Sequence, residues 1–269
     1  MSFLICPLAA STRVLSRALV WMQRYPALLV AVALVIAQEP RKPTVFLVGD
    51  STMADKPKPE QNPERGWGQL LPTFLDDSVA VRNFAVNGRS SKSFIDEGRW
   101  ETVLGQLTVD DYVLVQFGHN DEKQDDPSRY TNPYSGYRRN LERFVTEARA
   151  RGATPILCSS IVRRHFNPQG TLEDTHGAYP LVARQVAREL DVPFIDLQRL
   201  SEDLVTAAGV EGSKALYVWV APGASSMFPD GRQDDTHLSV RGATAIARLA
   251  ARALRESRLP IGRHVRGVD

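Results

Sequence analysis

Four short segments of this chain each place a reactive residue type just beyond an apolar run or before a helical pattern. The first, Gly49-Asp50-Ser51-Thr52-Met53, follows the run Thr44–Val48. A serine at a strand-to-helix turn can show its hydroxyl to solvent while its own backbone N–H faces the same space, but it needs an adjacent base to become a nucleophile. Judged alone, Ser51 reads more readily as a helix cap. The second, Asn87-Gly88-Arg89-Ser90-Ser91, contains a glycine that either lets the backbone approach a ligand or simply closes a tight turn. In the third, Gly118-His119-Asn120-Asp121, the Asn120 amide can donate toward a developing oxyanion. Asp121 suits a loop-holding role on backbone N–H groups. His119 has no obvious carboxylate to orient it, which favours a structural or substrate-side role. The fourth is Asp234-Asp235-Thr236-His237. Residues three apart on a turn share a face, so Asp234 can bond one imidazole nitrogen and leave the other free to take the Ser51 proton. Asp235 is the alternative orienter and better suits a solvated or capping carboxylate. A metal site built on Asp234, Asp235 and His237 lacks a second histidine cluster, and no metal or cofactor is expected. No G-x-S-x-G elbow occurs, which disfavours an ordinary α/β-hydrolase.

These segments need elements to hold them. Thr44–Val48, Val79–Val86, Tyr112–Phe117, Thr154–Ser159 and Pro193–Leu197 read as five strands, three of them nearly continuous apolar runs suited to a parallel sheet covered on both faces. Helical patterns fall between them at Gly66–Leu75, Tyr137–Arg151 and Tyr179–Leu190, and a last helix follows a Ser239 cap. Strands alternating with helices predict one α/β domain with right-handed crossovers, and its site should lie beyond the C-terminal ends of the strands. Residues 208–233, rich in Gly, Ser and Pro, are expected to form a long loop. Trp67, Trp100 and Trp219 can stack on sugars, although core packing is the simpler use for each.

Composition restricts the partners. The 269 residues carry 33 Lys and Arg against 31 Asp and Glu. Arg13, Arg17 and Arg24 sit in the first 37 residues without any acid, so the remainder is close to neutral and has no nucleic-acid footprint. The apolar run Ala27–Ala37, preceded by Arg24 and ending in small residues, is the pattern of a secretory signal peptide and is too short to cross a bilayer. Residues 1–37 are therefore expected to be a leader, with Met22 as an alternative start. A linker over 38–43, a catalytic domain over 44–258 and a C-terminal tail over 259–269 are expected to follow. Secretion or periplasmic export, no stable membrane insertion and a monomer go with this reading. Of the two cysteines, Cys6 lies in the leader, and Cys158 sits in an apolar run that suits an inert buried thiol.

The four segments, in order, resemble the blocks of the SGNH (GDS-type) hydrolase superfamily: GDS, a glycine, G-x-N-D and D-x-x-H. Within it, GDSTM, NGRSSKSF, QFGHND and DDTHLS are most similar to the rhamnogalacturonan acetylesterases of carbohydrate esterase family 12. The resemblance implies a three-layer αβα flavodoxin-like fold with a five-stranded parallel sheet. It implies Ser51, Asp234 and His237 as a triad, and an oxyanion hole from the Ser51 and Gly88 backbone N–H groups and the Asn120 side chain. The implied partner is an acetylated plant polysaccharide. Arg163, Arg164 and His165, after the fourth strand, are candidates to meet galacturonate carboxylates, with a solvated surface cluster as the alternative. Two rivals stand beside this: a hydrolase of the same fold acting on lipid, thioester or xylan-linked acyl groups, and a non-catalytic carbohydrate-binding protein.

Overall fold

Alternation along the strands builds two cores on one sheet. The computed structural model describes residues 41–269. The leader expected at residues 1–37 and the first part of the 38–43 linker lie outside the described residues. Five parallel strands, β1 (Thr44–Gly49), β2 (Ala80–Asn83), β3 (Tyr112–Gln116), β4 (Thr154–Cys158) and β5 (Phe194–Ile195), form a sheet of order β2-β1-β3-β4-β5. In register, Leu47 lies beside Leu114, Leu114 beside Ile156 and Cys158 beside Ile195. Successive side chains point to opposite faces. Val45, Leu47, Leu114 and Ile156 therefore join one buried cluster, and Phe46, Val48, Val113, Val115 and Leu157 the other.

Helices cover both faces: α1 (Trp67–Leu70), α2 (Ser91–Asp96), α3 (Arg99–Leu104), α4 (Arg138–Ala150), α5 (Tyr179–Glu189), α6 (Leu197–Gly212) and α7 (Val240–Glu256). The first cluster takes Ala243, Ile246, Ala247, Ala250 and Leu254 of α7. The second takes Trp100 of α3, Phe144 and Val145 of α4, and Val182 and Val186 of α5. This is the three-layer αβα arrangement, and its strand order is the flavodoxin-like one, with the crevice at the β1/β3 switch point. Ser239 caps α7, its Oγ accepting from the Gly242 N–H at 3.1 Å. Gly242 itself passes so close to the backbone of Leu216 that a Cβ there would lie 1.8 Å from its carbonyl oxygen.

Some boundaries differ from the expectation. The second strand ends at Asn83, and the chain beyond it stays beside β1 through single bonds, Phe84 N–H to Leu47 O at 2.8 Å and Val86 N–H to Gly49 O at 3.0 Å. Pro72 turns the second half of the Gly66–Leu75 helix into a 3-10 turn over Leu71–Phe74. Leu197 opens α6 instead of ending a strand, because Asp196 caps that helix. The long loop predicted over residues 208–233 is a correction. It holds the end of α6, a 3-10 turn at Ser213–Leu216, strand β6 (Tyr217–Val220) and the first residues of β7 (Arg232–Leu238), which pairs antiparallel with β6. β7 reads RQDDTHL and has no apolar alternation, so periodicity could not reveal it. Residues 259–269 pack onto the body: Ile261, Val265 and Val268 are buried, and Val265 bridges Leu75. Among the described residues no helix is long and apolar enough to cross a membrane.

Candidate active site

Ser51 follows the C-terminal end of β1, an interior strand, in a turn held from several sides. The Asp50 carbonyl accepts the N–H groups of Met53 and Ala54 at 3.2 and 3.0 Å. The Asp50 carboxylate accepts the N–H and Oγ1–H of Thr52 at 2.9 and 2.8 Å. Gln116, at the end of β3, donates to Thr52 Oγ1 at 2.7 Å and accepts from the Trp67 indole at 2.6 Å. The turn that presents Ser51 is thus tied to β3 and α1 by buried hydrogen bonds, which rigidify when fully satisfied.

His237 reaches Ser51 through an irregularity in β7. Val218 pairs with Asp234 and Tyr217 with Leu238, so Asp235, Thr236 and His237 bulge from the ladder. The bulge folds over the Asp234 carboxylate. Oδ1 accepts the N–H groups of Thr236 and His237 at 2.9 and 2.8 Å, and Oδ2 lies 2.8 Å from His237 Nδ1. The Ser51 Oγ lies 2.9 Å from the other ring nitrogen, Nε2. A carboxylate on Nδ1 fixes the tautomer with Nδ1–H, which leaves Nε2 as acceptor for the serine proton. Burial alone would raise the Asp234 carboxyl, but the hydrogen bonds from His237 and Arg232 outweigh it and hold it well below the usual range.

Asp235, the alternative orienter, faces elsewhere. Its Oδ1 accepts from Arg164 Nη1 at 3.0 Å and the Trp219 indole at 2.8 Å.

Gly88 and Asn120 come to the same place from the ends of β2 and β3. Ser51, Gly88, Asn120 and His237 line one cavity of about 410 Å³. Gly88 holds φ +75°, a left-handed conformation that a side chain would strain. Neither the Ser51 nor the Gly88 backbone N–H donates to a partner among the described residues. One Asn120 amide hydrogen goes to Arg89 O at 3.1 Å, and a second is left for a ligand. Asp121 accepts from the Ser91 N–H and hydroxyl and the Thr131 hydroxyl, and burial pushes its carboxyl up to about 7.

His119 differs from its expectation. It does have a carboxylate partner, since Asp50 Oδ2 lies 3.2 Å from its Nδ1. Burial holds its imidazole below the usual value against the pull of Asp50. The buried Nε2 has no hydrogen-bond partner among the described residues, and the His176 ring packs edge-on at 4.6 Å.

The three substrate-side candidates separate. Arg163 lines the cavity, where it pairs with Glu122 and donates to Thr175 Oγ1 at 3.0 Å. Arg164 is a correction. It is buried away from the cavity, bonded to Asp235, to Ser213 Oγ at 3.0 Å and to Val210 O at 2.6 Å, and packed under the Trp219 ring. His165 is exposed beside Glu173 and does not line the cavity. Trp67 and Trp100 are wholly buried, and Trp219 is engaged by Asp235, Arg164 and Lys214, so none of the three is a free stacking surface.

Sequence reasoning missed the charges around the triad. Arg232 donates to Asp234 Oδ2 from Nε at 3.1 Å and again from Nη2. The two residues share a strand face at i and i+2, a signal open only to a reader who takes that polar segment as a strand. Glu64, Lys123 and Arg232 complete the cavity wall, and Lys56 is buried behind Ser51. Nothing in the sequence marks Lys56 or Glu64, which are brought in by an irregular loop.

Residues 47–245 match the GDSL-like lipase/acylhydrolase family, a span that contains all four segments and the whole bonded constellation. The chain belongs to that family. It is a carboxylic ester hydrolase of the SGNH type. It is 43% identical over 221 residues to the rhamnogalacturonan acetylesterase RhgT of Bacillus subtilis, covering 82% of this chain and 93% of that one. It is 35% identical over 217 residues to the probable rhamnogalacturonan acetylesterase YesY of the same organism, covering 81% and 94%. Its fold is similar to the crystal structure of YxiM from Bacillus subtilis, with a TM-score of 0.68 at 26% identity, covering 81% of this chain and 58% of that longer one.

Proposed function

We propose that this SGNH hydrolase is a secreted serine esterase that removes O-acetyl groups from rhamnogalacturonan or a related pectic polysaccharide. The observation that carries the reading is the unbroken line of hydrogen bonds from Asp234 through His237 to Ser51, at 2.8 and 2.9 Å, opening on a cavity with Gly88 and Asn120. In this reading Ser51 Oγ attacks the acetyl carbonyl carbon while His237 Nε2 takes its proton, and Asp234 stabilises the imidazolium. The carbonyl electrons move to oxygen, where the N–H groups of Ser51 and Gly88 and the Asn120 amide receive the charge. Collapse breaks the bond to the sugar oxygen, which leaves with the proton from His237. Water then attacks the acetyl-serine with His237 again as base, giving acetate and free Ser51.

Four further points support the substrate class. Relatives named as rhamnogalacturonan acetylesterases align over most of this chain. The cavity is lined by polar and charged side chains, which suits a sugar ester better than a long acyl chain. Lys123 lines it together with Arg163, Arg232 and Glu64, and although both arginines also pair with carboxylates of this chain, these cations are the groups available to the carboxylates of a galacturonate polymer. The leader over residues 1–37 supports export to meet such a polymer.

Measuring acetate released from acetylated rhamnogalacturonan, pectin and xylan, alongside short- and long-chain p-nitrophenyl esters, tests the reading. Preferred release from the pectic polymers is the expected result. Preference for long acyl esters overturns the substrate class, and no ester hydrolysis at all overturns the reaction.

A further inference from the structure

A buried lysine lies behind the nucleophile. The Lys56 side chain is 2% exposed, and its ammonium has three donors. Each has its own acceptor on a different segment: the Ser51 carbonyl at 2.7 Å, Asn87 Oδ1 at 2.6 Å and Glu64 Oε1 at 2.8 Å. Ser51 carries the nucleophile, Asn87 immediately precedes Gly88, and Glu64 belongs to the loop that follows Lys56. The ions continue past Glu64, whose Oε2 lies 3.7 Å from Arg232 Nη1, and Arg232 in turn holds the Asp234 carboxylate. Lys56, Glu64, Arg232 and Asp234 thus alternate in sign from the back of the nucleophile turn to the acid beside His237.

Packing does not require charge here. A buried ion pair gains little stability over apolar side chains of the same volume, because desolvation offsets the attraction. What an ammonium supplies that a methyl group cannot is direction: three acceptors held at hydrogen-bond distance from one point. Two of those acceptors lie on Ser51 and on the residue before Gly88, and the backbone N–H groups of Ser51 and Gly88 have no partner among the described residues.

We propose that Lys56 is a positioning residue for the oxyanion hole, and that the chain of ions through Glu64 and Arg232 holds the hole and the triad acid in one shared geometry. The proposal rests on the serine-esterase reading above. Its consequence is a defect confined to the transition state: without Lys56, the ester still enters the cavity, but the Ser51 and Gly88 donors no longer converge on the oxyanion.

Lys56→Met, Lys56→Arg and Glu64→Gln in the full chain test this with p-nitrophenyl acetate and phenylboronic acid, which forms a tetrahedral adduct on an active serine. Lys56→Met is expected to lose kcat by about 10- to 100-fold, the scale of misplaced oxyanion donors. KM should barely move, and boronate affinity should weaken in step with kcat. Glu64→Gln should show a smaller loss of the same kind, since Ser51 and Asn87 keep their contacts, and Lys56→Arg should recover part of the activity. Wild-type kcat in Lys56→Met overturns the proposal, and so does a kcat loss with undiminished boronate affinity. If Lys56→Met does not fold, Glu64→Gln decides, and wild-type kcat and boronate affinity there overturn it. Ser51→Ala separates the two claims. If that variant is inactive while Lys56→Met is normal, only the positioning role fails; if it turns over normally, the serine mechanism and the positioning role fall together.

Discussion

The Asp234 carboxylate grips His237 twice, accepting the backbone N–H at 2.8 Å with one oxygen and facing ring Nδ1 at 2.8 Å with the other. Its neighbour Asp235 is turned to Arg164 and Trp219. Asp235 lies in the bulge with its carboxylate held by those two side chains, so the two aspartates do not share the role. Asp234→Asn should lower kcat by on the order of 10⁴, as an amide favours the wrong imidazole tautomer. Asp235→Asn should leave kcat per folded molecule near wild type and lower the melting temperature instead. Equal kcat losses in steady-state assays would contradict the assignment of the acid.

Ser51→Ala is expected to abolish burst-phase acylation. Asn120→Ala keeps the nucleophile and its base but removes one oxyanion donor, which should cost on the order of 10²–10³ in kcat. Stopped-flow release of p-nitrophenol separates the two, because the Asn120 variant should still show a slowed acylation phase.

Arg163 and Arg164 are adjacent in sequence and opposite in role. Arg163→Met should raise KM several-fold for an anionic acetylated polymer while p-nitrophenyl acetate is handled as before. Arg164→Met removes one donor each from half-exposed Asp235 and from the Val210 carbonyl, which keep Trp219 and Ser213 as donors, and should cost about 1 kcal/mol of stability. Denaturant unfolding and paired kinetics on the two substrates check both statements.

Asp121 predicts a pH dependence of stability. Its folded-state pKa is raised to about 7, so between about pH 4 and 7 the folded carboxyl keeps a proton that the unfolded one has released. Its contribution therefore favours the fold at the acid end of that window and is lost as pH rises toward 7. Asp121→Asn does not titrate, so the stability of wild type relative to the variant should fall across the window and level off above it. Asp234 has the opposite sign. Its lowered pKa contributes stability at neutral pH, and that contribution is lost only as pH falls below the ordinary carboxylate range.

The sheet and the approximate location of the cavity were legible in the order of the amino acids. The apolar runs around Val45, Val113 and Ile156 read as buried strands, and the residues just after them are expected to surface together at the switch point. That Ser51, Gly88, Asn120 and His237 belong to one site was legible from the order of the four segments and the family blocks they resemble, since each segment alone has a structural reading. Which aspartate faces His237 was settled by folding, since it depends on a three-residue bulge in a polar strand with no hydrophobic alternation to reveal it. The partners of Arg163 and Arg164, the Asp50 contact of His119, and the meeting of Lys56 with Ser51, Asn87 and Glu64 were settled in the same way. Periodic burial is written locally in the chain; where a polar side chain ends depends on which distant segments bring it a partner, and no local pattern records that.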